Sequence, residues 1–317
     1  MIERFRADLA KVWPDALDHA DERLGLAVSG GPDSLALLLL AHAALPGRVA
    51  VASVDHRLRA ESAGEAEFVG DVCAKLGVPH AILPVSLKRR NMQAQGRAAR
   101  YEALSSHFAS LGIAAMATAH HADDQAETVL MRLNRGSGLA GLAGVRPSAT
   151  FATQQGHSLI VLRPLLGWRK RELEAVCSAA DVTPVRDPSN ENNKFERVRM
   201  RRFLAESDLL DPLAIAASAA HLAQAEDFVR RAVDDAWSAR VQHEGGLVRY
   251  RASQDAFENV EVLLRIFERF QAAPPRSEVA RMAERLAAGD NASLGGVLGR
   301  AEAGGTWTFE REPARRS

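Results

Sequence analysis

Short apolar runs alternate along the first half of the chain with longer stretches whose apolar positions recur every three or four residues. Leu24 to Val28, Val49 to Asp55, His80 to Val85, Ala114 to Ala119 and Ser158 to Leu165 read as strands. Between and after them, Leu35 to Ala41, Ser62 to Leu76, Met92 to Leu111, Ala122 to Asn134 and Arg169 to Ala180 read as helices. This alternation predicts an α/β fold with a mostly parallel, doubly wound sheet covered on both faces. From Glu206 onward the chain is rich in Ala, Leu and charge, and Pro212 to Ala239, Asn259 to Gln271 and Ser277 to Ala288 read as helices. A small, mainly helical domain over residues 206–317 is therefore expected after an α/β domain over residues 1–205. Two domains also suit 317 residues.

The polar positions that interrupt this pattern collect where the strands end. The stretch LGLAVSGGPDSLALLLLA, Leu24 to Ala41, reads as strand, glycine turn and helix, with Pro32, Asp33 and Ser34 in the first helical turn, where these residues are favoured. The free N–H groups of that turn, with those of Gly30 and Gly31, suit an anion. A Walker loop or a dinucleotide fingerprint would need a lysine or a third spaced glycine, which this stretch lacks. A plain tight turn is the alternative. Asp55, His56 and Arg57 follow the second strand, and His120, His121, Asp123 and Asp124 follow the strand around Met116. In such sheets ligands bind outside the carboxyl ends of the strands, so these clusters point to one site. On the helix after His121, Asp124, Glu127 and Thr128 share one face, opposite Ala126, Val129, Leu130 and Leu133. Two histidines and two aspartates at its start can be read three ways: Mg²⁺ held with a nucleotide, a zinc site short of spaced ligands, or a structural cap.

Composition narrows the class. Hydrophobic residues make up 47% of the chain, ordinary for a globular protein, and the run Leu35 to Leu45 falls short of a membrane span. The charged amino terminus has no signal-peptide core, so a cytoplasmic protein without membrane attachment is expected. Cys73 and Cys177 are far apart in apolar surroundings and read as buried thiols. The formal net charge is zero, but basic residues cluster in Ser86 to Arg100 and in Arg186 to Arg202. Such patches suit a polyanion met at one surface, or are solvated helix faces.

Together these motifs carry a resemblance. Ser29-Gly30-Gly31-Pro32-Asp33-Ser34 is similar to the PP-loop of the N-type ATP pyrophosphatases, which split ATP into AMP and pyrophosphate while adenylating a substrate. Further motifs follow in order. They are Val54 to Arg59; Gln95 with Arg97, Ala98, Ala99, Arg100 and Tyr101; ATAHHADDQAETVLMRLNRGSGLAGLAG from Ala117 to Gly144; Arg163-Pro164-Leu165-Leu166; and Asp187-Pro188-Ser189-Asn190. Over roughly Leu24 to Phe203 the chain resembles the tRNA(Ile)-lysidine synthases.

That resemblance implies an ATP- and Mg²⁺-dependent ligase acting on the isoleucine tRNA with a CAU anticodon. The C2 oxygen of its wobble cytidine is adenylated, and the side-chain amine of free L-lysine displaces AMP to give lysidine. Ser29, Gly30, Gly31, Pro32, Asp33 and Ser34 would then cradle the nucleotide. Asp33 and Asp124 would hold magnesium, with Asp123 near enough to substitute. Arg100, ahead of Arg97, would meet phosphate, and His120 would orient the nucleotide or the cytosine. Arg197, Arg199 and Arg201 would contact tRNA phosphates. Where the family tends to show Arg-Asn-Arg, Val198 stands between Arg197 and Arg199. The carboxyl-terminal region matches weakly and ends near where longer members add a further domain. It would grip tRNA, or else serve as an oligomer contact or only pack, and a homodimer is left open. A tRNA cytidine thiolase of the same loop type would carry paired cysteines. A non-catalytic nucleotide-binding module would not need the acidic and arginine residues around the loop.

Overall fold

The computed structural model describes residues 1–14, 19, 21–55, 60–85, 92–153, 156–185 and 196–312, with only the backbone for 60–63 and 92–95. The expected polar clusters at His56 to Arg59 and Asp187 to Asn190, the Lys88 to Arg90 part of the basic run, and the Gln95 side chain lie outside the described residues. The described chain forms two compact units, Met1–Ala223 and Gln224–Ser317. The break falls inside a helix, 18 residues beyond the expected boundary at 205.

The first unit contains α1 (Ile2–Val12), β1 (Leu24–Ala27), α2 (Pro32–Ala44), β2 (Val49–Asp55), α3 (Ala60–Leu76), β3 (His80–Pro84) and α4 (Met92–Ser110). After these come β4 (Ala115–Ala117), α5 (Ala122–Asn134), α6 (Leu139–Leu142), β5 (Ser148–Ala152), β6 (Ser158–Leu162), α7 (Lys170–Ala179) and α8 (Glu196–Glu206). It also holds the first part of α9 (Pro212–Arg240). Its sheet has the order β3-β2-β1-β4-β6-β5, parallel except for β5. The hairpin partner β5 was not legible as a strand: it lies at the sheet edge and has no fully buried residue, so its apolar pattern is weak.

The two-residue period of the strands sorts their side chains between two cores. Leu24, Leu26, Val49, Val51, Ala115 and Ala117 face one side, where residues of α1, α2, α3 and α7 cover them. Ala50, Ala52 and Met116 face the other, under Tyr101, Leu104 and Phe108 of α4. A Cβ at Gly25 would stand 2.8 Å from the Phe108 ring, so glycine at this position lets α4 approach the sheet. Helix α2 is buried on nearly all sides, which is why its sequence is apolar without an amphipathic period. Arg4 of α1 stacks on Trp168 at 4.2 Å and pairs with Glu172 at 2.6 Å, fixing the turn between β6 and α7.

The strand order reverses between β1 and β4. The chain goes from β1 to β2 on one side, whereas β4 pairs with the other edge of β1. At such a switch point the loops after the two strands diverge and leave a crevice at their carboxyl ends.

The second unit combines the three helices expected in this region with a sheet that the helical reading leaves out. The end of α9, α10 (Ala256–Arg269) and α11 (Arg276–Ala287) accompany β7 (Val241–Glu244), β8 (Leu247–Arg251), β9 (Ala292–Leu294), β10 (Val297–Glu302) and β11 (Thr306–Arg311). The order is β7-β8-β11-β10-β9, all antiparallel. Gly-Gly pairs at 245–246, 295–296 and 304–305 close its hairpins, and they are the sequence signal that could have revealed it. Tyr250, Leu263, Ile266, Phe267, Trp307 and Phe309 fill its core.

Candidate active site

The loop after β1 is held from within. Ser34 Oγ accepts from the Ser29 N–H at 3.1 Å and donates to the Gly31 carbonyl at 3.0 Å, so the serine side chain closes the turn. Gly30 takes φ +87°, a conformation that favours glycine, and its carbonyl accepts from the Val185 N–H at 3.1 Å. Gly31 is the N-cap of α2 and supplies no side-chain acceptor, so the N–H groups of the first turn are left for an anion. Pro32 occupies the first helical position, where its missing N–H costs nothing. From the next layer, Cys177 Sγ donates to the Pro32 carbonyl at 3.3 Å. Cys73 and Cys177 are both buried and free, as their surroundings in the sequence imply.

The segment after β4 faces this loop. His120 Nδ1 shares a hydrogen bond with Thr118 Oγ1 at 2.9 Å. Burial pushes the ring down to about 4, with Asp124 opposing and Arg163, Arg97 and Arg197 adding to the shift, so His120 is neutral at physiological pH. His121 behaves in the opposite way. Its Nε2 lies 3.5 Å from both Asp33 Oδ2 and Asp124 Oδ2, and its Nδ1 3.5 Å from Asp123 Oδ2. Burial opposes its charge, but Asp123, Asp33 and Asp124 outweigh it and push His121 up to about 10. Burial works against charge on both adjacent histidines, and only at His121 do the surrounding carboxylates outweigh it.

The three aspartates also separate. Asp123 accepts from the Lys170 N–H at 2.8 Å and from Arg169 Nε at 3.2 Å, capping α7. Burial raises its carboxyl, but His121, the Lys170 N–H and Arg169 hold it well below the usual range. Asp123, which its position suggested as a substitute metal ligand, is thus engaged at the start of α7. Asp124 Oδ2 accepts from the His121 N–H at 3.2 Å. Asp33 Oδ1 is buried and makes no hydrogen bond among the described residues.

Between the loop and α4 lies a cavity of about 280 Å³. Ser29, Gly31, Asp33, Ser34, His120 and Asp124 line its polar end, and Ala27, Ala52, Val54, Leu104 and Met116 its apolar side. Arg97, Arg100, Tyr101 and Arg197 complete the wall. The structure thus brings together most of the residues that the sequence singled out. Gly30 and Pro32 shape the loop without lining the cavity. Arg199 and Arg201 are not part of the wall either.

Helix α8 explains that division. Glu127, on the polar face of α5, is 1% exposed and accepts from Arg197 Nε at 2.9 Å and Arg201 Nε at 2.7 Å. Arg197 also reaches Thr128 Oγ1 at 3.2 Å. The three arginines look equivalent in sequence, yet Arg197 and Arg201 are held on Glu127, Arg197 remaining exposed, whereas the exposed Arg199 lies on the other side of the helix. Glu127 is the structural residue that sequence reasoning missed. Its place on a polar helix face was legible, but its partners lie 70 and 74 residues away. The glycine-rich segment after α5 is secured by other residues of that helix. Gln125 bridges to the Val145 carbonyl at 2.8 Å, and Arg132 reaches the Gly141 carbonyl at 2.7 Å.

A parallel sheet whose switch point carries a serine-glycine loop, an uncapped helix start and converging carboxylates and arginines defines an ATP-binding enzyme of the PP-loop class. A PP-loop domain family model matches residues 1–207. Over 317 residues the chain is 43% identical to tRNA(Ile)-lysidine synthase of Novosphingobium aromaticivorans, covering 99% of this chain and 94% of that one. Identity to tRNA(Ile)-lysidine synthase of Zymomonas mobilis is 38% over 299 residues, 93% and 90% of the two chains. In fold, the chain is similar to the U34-tRNA thiolase NcsA from Methanococcus maripaludis with its 4Fe-4S cluster. The TM-score there is 0.56 at 13% identity, over 71% of this chain and 79% of that one. The chain belongs to the tRNA(Ile)-lysidine synthase family.

Proposed function

We propose that this ATP-dependent ligase joins free L-lysine to C2 of the wobble cytidine of the isoleucine tRNA with a CAU anticodon. ATP adenylates the C2 oxygen and releases pyrophosphate. The lysine side-chain amine then attacks C2 and displaces AMP, giving lysidine. The observation that carries this reading is a single cavity in which an uncapped helix start, two carboxylates and three arginines face one another, in a chain of this family.

In the first step, negative charge grows on the departing pyrophosphate, and oriented N–H groups stabilise it without reorganisation. The first-turn N–H groups of α2 take that role, with the guanidinium groups of Arg97 and Arg100 on the opposite wall. His120 is neutral and hydrogen-bonded through Nδ1, so it can orient the nucleotide or the cytosine by hydrogen bonding without adding charge.

The donor set fits Mg²⁺. Asp33 has a buried oxygen without a partner among the described residues, and Asp124 lines the same cavity. Among the described residues, no group of three or more His, Cys, Asp or Glu side chains is placed to hold a metal ion alone. Two carboxylates, phosphate oxygens and water are the usual sphere of magnesium in nucleotide sites. When bound by Asp33 and Asp124, the ion would neutralise charge on the leaving phosphates.

For the remaining residues, 206–317, we propose a tRNA-gripping role. The elongator methionine tRNA presents the same three anticodon bases as the isoleucine tRNA, so discrimination requires contacts elsewhere. A cytoplasmic site of action agrees with the helices of the described residues, none of which is long and apolar enough to cross a membrane. Incubation with radiolabelled lysine, ATP and a panel of tRNAs tests the reading. Label in the isoleucine tRNA with a CAU anticodon, with AMP released in step, is the expected result. ATP consumption without lysine transfer to any tRNA would overturn it.

A further inference from the structure

The outer face of α8 takes no part in the contacts described above. At about 100° per residue, Arg197, Arg201 and Leu204 fall on one side of this helix, and Arg199, Arg202, Phe203 and Glu206 on the other. The inner side is accounted for by Glu127 and by the burial of Leu204. On the outer side Phe203 is 56% exposed, with Arg199 and Arg202, both exposed, beside it and Glu206 3.9 Å from Arg202. A large aromatic side chain left in water beside two guanidinium groups contributes little to packing.

We infer that this face binds single-stranded RNA: Phe203 stacks on an unpaired base flanking the reacting cytidine, and Arg199 and Arg202 meet the adjoining phosphates. The inference rests on the lysidine reading above, because the target base must leave its stack to react and its neighbours are then exposed. Three observations favour RNA over another occupant. First, two arginines against one glutamate give the face a positive balance that suits phosphate. Second, an exposed ring beside guanidinium groups is the usual platform for a base, whatever its identity. Third, the same helix borders the reaction cavity: Arg197 in its first turn lines that cavity from the inner side, and Phe203 lies six residues along on the outer side, about 9 Å of helix rise away. This assignment moves the RNA contact from Arg197 and Arg201, held on Glu127, to Arg199, Arg202 and the aromatic between Arg202 and Leu204.

The test uses the full chain and an unmodified anticodon stem-loop with the CAU anticodon. Affinity is measured for wild type and for Phe203→Trp, Phe203→Tyr, Phe203→Leu and Phe203→Ala, alongside kcat and KM for lysine transfer to whole tRNA. Trp and Tyr should retain binding. Leu and Ala should weaken it roughly tenfold, the size of one base–aromatic stack, and raise KM for tRNA while kcat at saturation stays within about twofold. Arg199→Ala and Arg202→Ala should each flatten the salt dependence of binding by about 0.7, the value for a single-strand phosphate contact. Affinity unchanged across the series, or Leu binding as well as Phe, overturns the stacking role. A wild-type dimer that Phe203→Ala dissociates would make this face a contact between copies and overturn it equally. Should the wild type transfer no lysine while stem-loop affinity still follows the aromatic series, the reaction reading fails and the RNA face stands.

Discussion

Residues 1–223 bury His121, Glu127 and Arg163, whereas among the described residues of 224–317 the buried polar side chains are the neutral Asn259 and Thr308. In the second unit the polar network closes on itself. Tyr250 donates to Asn259 Oδ1 at 2.8 Å, and Asn259 exchanges two further bonds with the Ser253 backbone at 2.9 Å each. In the first, Asp33 Oδ1 is buried without a hydrogen bond among the described residues, and His121 is buried among three carboxylates. Burial of charge and of unsatisfied polar atoms is costly, so it persists where a ligand or a reaction requires it. The contrast separates a unit organised around chemistry from one organised around packing.

The largest expected effect breaks the chemical side of this contrast. Asp33→Asn or Asp124→Asn should lower turnover by about a hundredfold or more, through loss of charge stabilisation on the leaving pyrophosphate. Their thermal midpoints should fall far less than turnover, because in either variant Asp123 and the remaining aspartate still face His121. Lysine-transfer kinetics beside a melting curve decide this, and near-normal turnover would return either residue to a capping role.

Next in size is an asymmetry around Glu127. Replacing both Arg197 and Arg201 by alanine strands a buried carboxylate and should cost about 2–3 kcal/mol, toward the low end for a broken buried pair because both arginines are partly in water. Glu127→Gln leaves arginines that can turn to solvent and should cost about 1 kcal/mol. Denaturant unfolding of the two variants gives the order, and the reverse order would mean that the arginines, not the glutamate, carry the cost of burial.

Truncation sharpens the boundary. A chain ending at Ala223 should remain folded and bind ATP while losing roughly tenfold or more in tRNA affinity, about 1.4 kcal/mol. A chain ending at Glu206 should be less stable than this, because it lacks Asp211, the partner of Arg169, and the Ala223 carbonyl that accepts from Arg146 at 2.9 Å. Equal melting of the two truncations would place the boundary nearer 205.

The smallest effect belongs to the second unit. Tyr250→Phe removes one neutral hydrogen bond and should cost about 1 kcal/mol, read by faster amide exchange in β8 and β11. The thiols report on the first unit alone, since the chain's two cysteines are Cys73 and Cys177. Burial pushes both up to about 11, so they should resist alkylation at pH 8 until that unit opens. The linked stability falls as pH rises from about 9, where the unfolded thiols ionise, to about 11, where the folded ones do. If Tyr250→Phe changes the alkylation rate, the two units do not unfold independently.

By itself the sequence determined the alternation of strands and helices, the serine-glycine loop at the first strand end, and the gathering of Asp33, His120 and Asp124 at strand ends. Each of these rests on local rules: strand and helix periods, turn chemistry and helix capping act over a few residues. The tertiary structure alone decided which of two adjacent histidines is charged, that Asp123 caps α7 while Asp124 lines the cavity, and that Arg197 and Arg201 are held on Glu127 while Arg199 lies on the other side of the helix. It also revealed the antiparallel sheet of the second unit, whose short strands are paired across most of that unit's length. Charge state and burial depend on partners tens of residues away, such as Glu127 for Arg201, and a local pattern has no information about a neighbour that only folding brings near.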